Sequence, residues 1–275
     1  MYHNGFLKKR GFCHLQRREN MINLKRQSNW CSGPRKAAWP LTKGKEEVTM
    51  EENGAPKCSF LSKPAILWHL KKGNIIIKPS FNPKSLGEDS YDVRLGEYFY
   101  IEQPLRVMDQ TVFNPLDPEC VALSWGKPRR AILASEWTGG SLKNIRSDRR
   151  IIVIGPGEII LAHTEEFIGG RHCVCSEMRT QSTWGRTAIN VCRCAGLGHI
   201  GFCNRWTMEI HNNYINTPVV LPVGMKIAQI TFHETDPLDD DESYARSGRY
   251  QTSDNMEEVM KTWAPDQMLP KFKDN

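Results

Sequence analysis

The 275-residue sequence predicts an all-β fold, a sandwich or barrel, flanked by short helices. Two observations carry this. Apolar residues fall in brief β-branched or aromatic runs, and turn signals such as Gly155-Pro156-Gly157 and Pro222-Val223-Gly224 separate them at close spacing. Helical periodicity shows only near the two ends of the folded part, so the strand and helix alternation that builds a parallel sheet is missing.

Residues 1–56 read as a basic, disordered extension. The formal charge of +6 sits there: residues 1–49 carry eleven Lys and Arg against three acids, and the remainder carries 26 against 28. The folded part is thus almost neutral, and a nucleic-acid partner is not expected for it. An acid-poor, Arg-rich leader also fits an organelle transit segment, and Met21 and Met50 are alternative starts. The longest apolar blocks are Ile151 to Ile154 and Ile159 to Ala162, far short of the about 18 residues a membrane-crossing helix needs. No membrane partner is expected. Nine cysteines, an odd number, with no secretory apolar region before them, point to a reducing, cytoplasmic setting.

The β domain is placed at residues 57–235. Ser62 caps a first helix with Pro64 in its opening turn, Ile66, Leu67 and Leu70 on one side and Gly73 past its end. Strands follow at Ile75 to Ile77, Tyr91 to Leu95, Tyr98 to Ile101, Ile151 to Ile154, Glu158 to His163, Phe202 to Ile210, Val219 to Leu221 and Ile227 to Phe232. Pro128 to Arg150 reads as a long surface loop between strands. Residues 236–275 form an acidic linker, then a closing tail with a last helix capped by Asp254, with Glu257 as capping-box partner and a packing stripe of Met256, Val259, Met260 and Trp263.

Two motifs fail on inspection. His163-Thr-Glu165 followed by Cys173-Val-Cys175 looks like a zinc deaminase site, but such a site needs two residues between its cysteines so that both thiolates turn to one metal. In a strand, the spacing of Cys173/Cys175 and of Cys192/Cys194 only places both side chains on one face, so no zinc is expected. Gly196-Leu-Gly198-His-Ile-Gly201 matches a dinucleotide fingerprint but leads into a strand rather than a helix.

The remaining blocks carry a resemblance. Ser90-Tyr-Asp92-Val-Arg94-Leu-Gly96 is similar to the S-x-D-x-R-L-G of the deoxycytidine triphosphate deaminase and dUTP diphosphatase superfamily. Pro156-Gly-Glu158 through Ala162-His-Thr164-Glu-Glu166, then Gln181-Ser182-Thr183-Trp184-Gly185-Arg186, then Ala195-Gly196 through Gly201-Phe202 to Thr207-Met208-Glu209, then Leu221 to Gln229, and finally Gly248-Arg249-Tyr250-Gln251 resemble that family's later blocks in the same order. The resemblance implies a dUTPase-like distorted β-barrel (β-clip) that assembles as a homotrimer, with sites at subunit boundaries and a deoxycytidine nucleotide as substrate.

It also implies roles. Glu209 stands at the family's catalytic Glu, where one carboxylate shuttles the protons of hydrolytic deamination. Ser182 and Arg186 are its implied catalytic partners. Gln181, Thr183, Trp184, Gly185, Ala195, His199, Thr207, Met208, Tyr244, Arg249 and Gln251 join them in nucleotide binding, the last three by closing over base and phosphates. Mg²⁺ is expected to arrive on the triphosphate. Two positions depart from the pattern: Gln181 replaces an Arg, with Arg179 nearby, and His199 replaces the Asp that orients water in diphosphatases. The implied reaction is dCTP to dUTP and ammonia. A dUTP or bifunctional diphosphatase, and a catalytically silent trimeric nucleotide-binding regulator, are the alternatives.

Overall fold

A computed structural model describes residues 59–103, 112–239 and 241–272. The expectations for the basic extension lie outside the described residues.

Helix α1 (Lys63–Lys72) starts after Ser62 with Pro64 in its first turn, but the Ser62 side chain makes no capping hydrogen bond. It ends on Gly73 at φ 81°, whose neighbour Asn74 donates its N–H back to the carbonyl of His69 at 2.9 Å. Twelve strands follow among the described residues: β1 (Ile75–Lys78), β2 (Ser90–Ile101), β3 (Arg129–Arg130), β4 (Ile132–Leu133), β5 (Arg150–Ile154), β6 (Ile159–Gly170), β7 (Val174–Thr180), β8 (Ile189–Asn190), β9 (Leu197–Gly198), β10 (Cys203–Asn212), β11 (Val219–Pro222) and β12 (Lys226–Glu234). All of them pair antiparallel. One sheet runs β8-β10-β6-β2-β12-β7-β9, with β1 also on β6 and β3 also on β2, and a smaller sheet runs β11-β5-β4.

The main apolar core draws Ile160, Met208 and Ile230 from the large sheet, Ile152, Ile154 and Leu221 from the small one, and Ala65 and Ile66 from α1. Two sheets folded over one core give the distorted barrel that the resemblance implies. A second cluster, Tyr100, Leu161 and Met268 with Trp125 and Trp263 against it, sits on the other face of β2 and β6. There the C-terminal segment docks.

Several elements differ from expectation. The two short runs at Tyr91 and Tyr98 are one strand, β2, continuous through Gly96. Strand β6 continues past His163 to Gly170. The loop from Pro128 to Arg150 is tied down by β3 and β4 at its start. Helix α2 (Pro118–Trp125), which the sequence reading missed, is capped by Asp117, whose side chain accepts from the N–H of Glu119. The last long helix, here α5 (Met256–Thr262) after the short turns α3 (Ser182–Gly185) and α4 (Tyr244–Ser247), is capped by Asn255 instead of Asp254. Asn255 accepts from the N–H groups of Glu257 and Glu258, while the Asp254 carboxylate pairs with Arg246 at 3.2 Å. Among the described residues no helix is long and apolar enough to cross a membrane.

Candidate active site

Strand β10 builds one wall of the site by simple alternation. Trp206, Met208 and Ile210 are buried in the core, and Arg205, Thr207 and Glu209 on the opposite face are half-buried along a cavity of about 680 Å³. The register with β6 slips between Arg205 and Thr207, a bulge of the kind that re-aims side chains beside active sites. The remaining walls come from Ala195, Leu197 and His199 in and around β9, from Tyr244 and the Ser247–Tyr250 stretch of the tail, and from Trp263, Gln267, Met268 and Pro270 of the C-terminal segment.

Among the described residues, Glu209 is the only acid lining this cavity. Burial raises its pKa above the ordinary carboxylate value, with hydrogen bonding to the backbone of Arg193 acting in the opposite sense. Its Oε2 is buried and has no hydrogen-bond partner in the protein. A carboxyl so placed holds a proton more readily than usual and presents one free oxygen, the two properties a proton shuttle requires.

The tail reaches the same cavity. The rings of Tyr244 and His199 stack at 5.4 Å between centroids and 8° between planes, and Phe202 meets Tyr244 edge-on at 5.6 Å. Arg249 is exposed at the rim. Gln251, expected to close over a nucleotide, is instead buried and lines no part of this cavity. It accepts from the N–H of Cys203 at 2.8 Å and donates to the carbonyls of Gly201 and Ser253, so it fastens the tail to the start of β10.

Other expected residues lie elsewhere. Met208 points into the core, since it alternates with Thr207 and Glu209. Gln181 to Arg186 line no part of the cavity within one chain: Ser182, Thr183, Gly185 and Arg186 are exposed around α3. Trp184 anchors that turn by donating Nε1–H to the carbonyl of Lys226, and Arg186 donates to the hydroxyl of Ser182 at 3.2 Å. Among the described residues no group of three or more His, Cys, Asp or Glu is placed to hold a metal ion.

Residues 60–235 match the family model described as dCTP deaminase-like. The chain belongs to that family. It is 31% identical over 199 residues to the "dCTP deaminase, dUMP-forming" of Methanopyrus kandleri, covering 70% of this chain and 90% of that one. To the protein of the same name from Dictyoglomus turgidum it is 28% identical over 193 residues, 69% of this chain and 87% of the other. Superposition on the 2′-deoxycytidine 5′-triphosphate deaminase of Agrobacterium tumefaciens gives a TM-score of 0.42 at 13% identity, over 69% of this chain and 53% of that one.

In this dCTP deaminase-like chain the first two blocks meet between β2 and β6. Arg94 donates Nε–H to Glu166 at 2.7 Å and its backbone N–H to the other oxygen of the same buried carboxylate at 2.9 Å, while its NH1 pairs with Glu165 at 2.8 Å. Asp92 pairs with Lys226 at 2.9 Å. A Cβ at Gly96 would run into the ring of His163, so the glycine of the first block is there to let a buried imidazole lie against β2. That ring accepts from the N–H of Tyr98 at 3.2 Å and donates to the carbonyl of Thr164 at 2.8 Å, which makes it neutral. Burial lowers its pKa to about 4.

Sequence reasoning missed Arg205 and Trp263. The guanidinium of Arg205 lies over the rings of Trp263 at 4.4 Å and Phe167 at 4.9 Å and lines the cavity beside Thr207. Period-two alternation from Glu209 back through Thr207 reaches Arg205 and was the available signal for it. For Trp263, no signal separates a packing stripe from a cavity wall.

Proposed function

We propose that this family member hydrolyses the exocyclic amine of dCTP, giving dUTP and ammonia in pyrimidine deoxynucleotide metabolism. The observation that carries the reading is Glu209: a half-buried carboxyl, its pKa raised by desolvation and its buried Oε2 unpaired, on the wall of a cavity whose volume suits a nucleotide. Its carboxylate takes a proton from water as the oxygen attacks carbon 4 and delivers it to ring nitrogen 3. The carboxylate then moves the remaining hydroxyl proton on carbon 4 to the amine, the C–N bond breaks to release ammonia, and the carbonyl forms at carbon 4. Thr207 shares the face of Glu209 and supplies a hydroxyl to the base or the attacking water.

Arg249 at the rim and the Tyr244–His199 stack hold the phosphate and sugar side. Ser182 and Arg186, exposed on α3 and away from their own chain's cavity, serve the cavity of a neighbouring copy in a homotrimer. Gln181 and Thr183 flank them in the same contact. Mg²⁺ comes with the triphosphate, held by phosphate oxygens and water.

The names of the Methanopyrus and Dictyoglomus relatives favour a second reading, release of dUMP and pyrophosphate. The imidazole of His199 speaks against it, because a ring that carries no negative charge is a weak substitute for a carboxylate that activates water. Incubation with dCTP and Mg²⁺, followed by separation of dUTP, dUMP and pyrophosphate, decides between them. Glu209→Gln should lower ammonia release by about 10²–10⁴-fold. Release at the parent rate would remove Glu209 from the mechanism.

A further inference from the structure

The pair Cys192 and Cys194 flanks Arg193, the residue whose backbone meets the Glu209 carboxyl. The turn is tight: the N–H of Cys194 donates back to the carbonyl of Cys192 at 2.9 Å, and Cys194 is held at φ 68°, a left-handed conformation that a non-glycine residue rarely adopts. Two virtual bonds of about 3.8 Å, folded by that hydrogen bond, bring the Cα atoms within the span a disulfide bridges, about 4.4–6.8 Å. Both cysteines are free thiols. Cys194 is exposed to solvent, whereas Cys192 is half-buried and donates its S–H to the carbonyl of Met178 at 3.2 Å. Burial, and behind it the Glu209 charge, pushes the Cys192 thiol up to about 11, so the exposed Cys194 is the sulfur that peroxide meets first.

We propose that Cys192 and Cys194 form a dithiol modification site, oxidised by hydrogen peroxide to a disulfide that resets the loop over Glu209. Peroxide converts the exposed Cys194 thiol to a sulfenic acid and releases one water. The Cys192 sulfur then attacks that sulfur, the S–S bond forms, and a second water leaves with the two thiol protons accounted for. Closing the bond pulls Cys192 off the Met178 carbonyl and turns the backbone of Arg193 away from Glu209. A disulfide across one intervening residue is strained, which makes it easily reduced and the modification reversible.

The effect on rate rests on the proposed deaminase activity; the bond itself does not. Arg193 lies between the cysteines, so trypsin leaves them on separate peptides, 187–193 and 194–205, that stay joined only when the bond is present. Full-length protein treated with peroxide should yield that joined pair, with fragmentation placing the bond on Cys194 rather than on buried Cys203, and dithiothreitol should abolish it. Ammonia release from dCTP should fall about tenfold in the oxidised protein, the effect of one lost hydrogen bond to the carboxylate, and return on reduction. Cys194→Ser should keep the parent rate and lose the sensitivity. Cys194 oxidised with no bond to Cys192 would overturn the site, and a bond with an unchanged rate would overturn its action on Glu209. A reduced protein that releases no ammonia would instead overturn the deaminase reading, with the bond still scored by mass.

Discussion

Glu209 sits where burial opposes its charge, and the sign of that opposition has a consequence for stability. A carboxyl whose pKa is higher folded than unfolded binds its proton more tightly in the folded chain, so stability falls as pH rises above the ordinary value of 4.5. Glu209→Gln should therefore melt at a higher temperature than the parent at about pH 8, with the gap closing toward about pH 4. A gap of equal size at both would mean that burial does not strain the carboxylate. The same strand shows how far single residues are legible. Period-two alternation places Thr207 and Glu209 on one face and sends Met208, which the motif brackets with them, into the core.

At the level of elements, most of the longer strands were legible because their apolar runs and turn residues agree; β7 was missed because Val174–Thr180 alternates Cys, Ser, Glu and Arg with few apolar residues, and the two-residue strands carry no pattern of their own. Gly96 interrupts β2 in sequence but not in space, because its missing side chain makes room for His163. Adjacent Asp254 and Asn255 are equally good helix caps on paper; the choice falls to Asn255 because Arg246 and Arg171 engage Asp254 through its carboxylate and its carbonyl. The tail offers a test. With Gln251 gone, the buried N–H of Cys203 loses its acceptor, so Gln251→Ala should destabilise by about 1–3 kcal/mol in urea unfolding. It should also raise KM for dCTP more than it lowers kcat, since the tail carries Tyr244 and Arg249 but not Glu209. A fall in kcat at unchanged KM would show that the tail acts on the chemistry instead.

The whole molecule joins a long-range antiparallel body to a C-terminal segment through His163. Its imidazole touches Trp263 at 4.6 Å and lies in the field of Arg205 and Glu97, and burial is the main reason its pKa falls to about 4. A histidine held neutral in the fold but protonated near 6.5 when unfolded adds stability above that value and loses it as pH drops through about 4. The loss from this group amounts to about 3 kcal/mol at most. Acid titration of the parent and of His163→Phe, followed by urea unfolding, should show the parent losing stability faster over that interval. Parallel curves would rule out His163 as the cause. None of this junction was readable from the sequence, because His163, Arg205 and Trp263 are far apart in the chain and meet only when β6, β10 and the C-terminal segment pack.

The two sides of the cavity also differ in kind. Glu209 rides on a backbone laddered into β6 along most of its length, so its amides open only when the barrel itself does. The facing tail is held by scattered contacts instead of a ladder: Gln251 on Cys203, Asn204 on the carbonyl of Tyr250, the N–H of Tyr244 on the carbonyl of Ile200, and Arg171 on the carbonyl of Asp254. Hydrogen exchange would separate the two by free energy. If the cavity takes the proposed nucleotide, lifting the tail alone would admit it, and turnover would not require the apolar core to be exposed to solvent or to other chains.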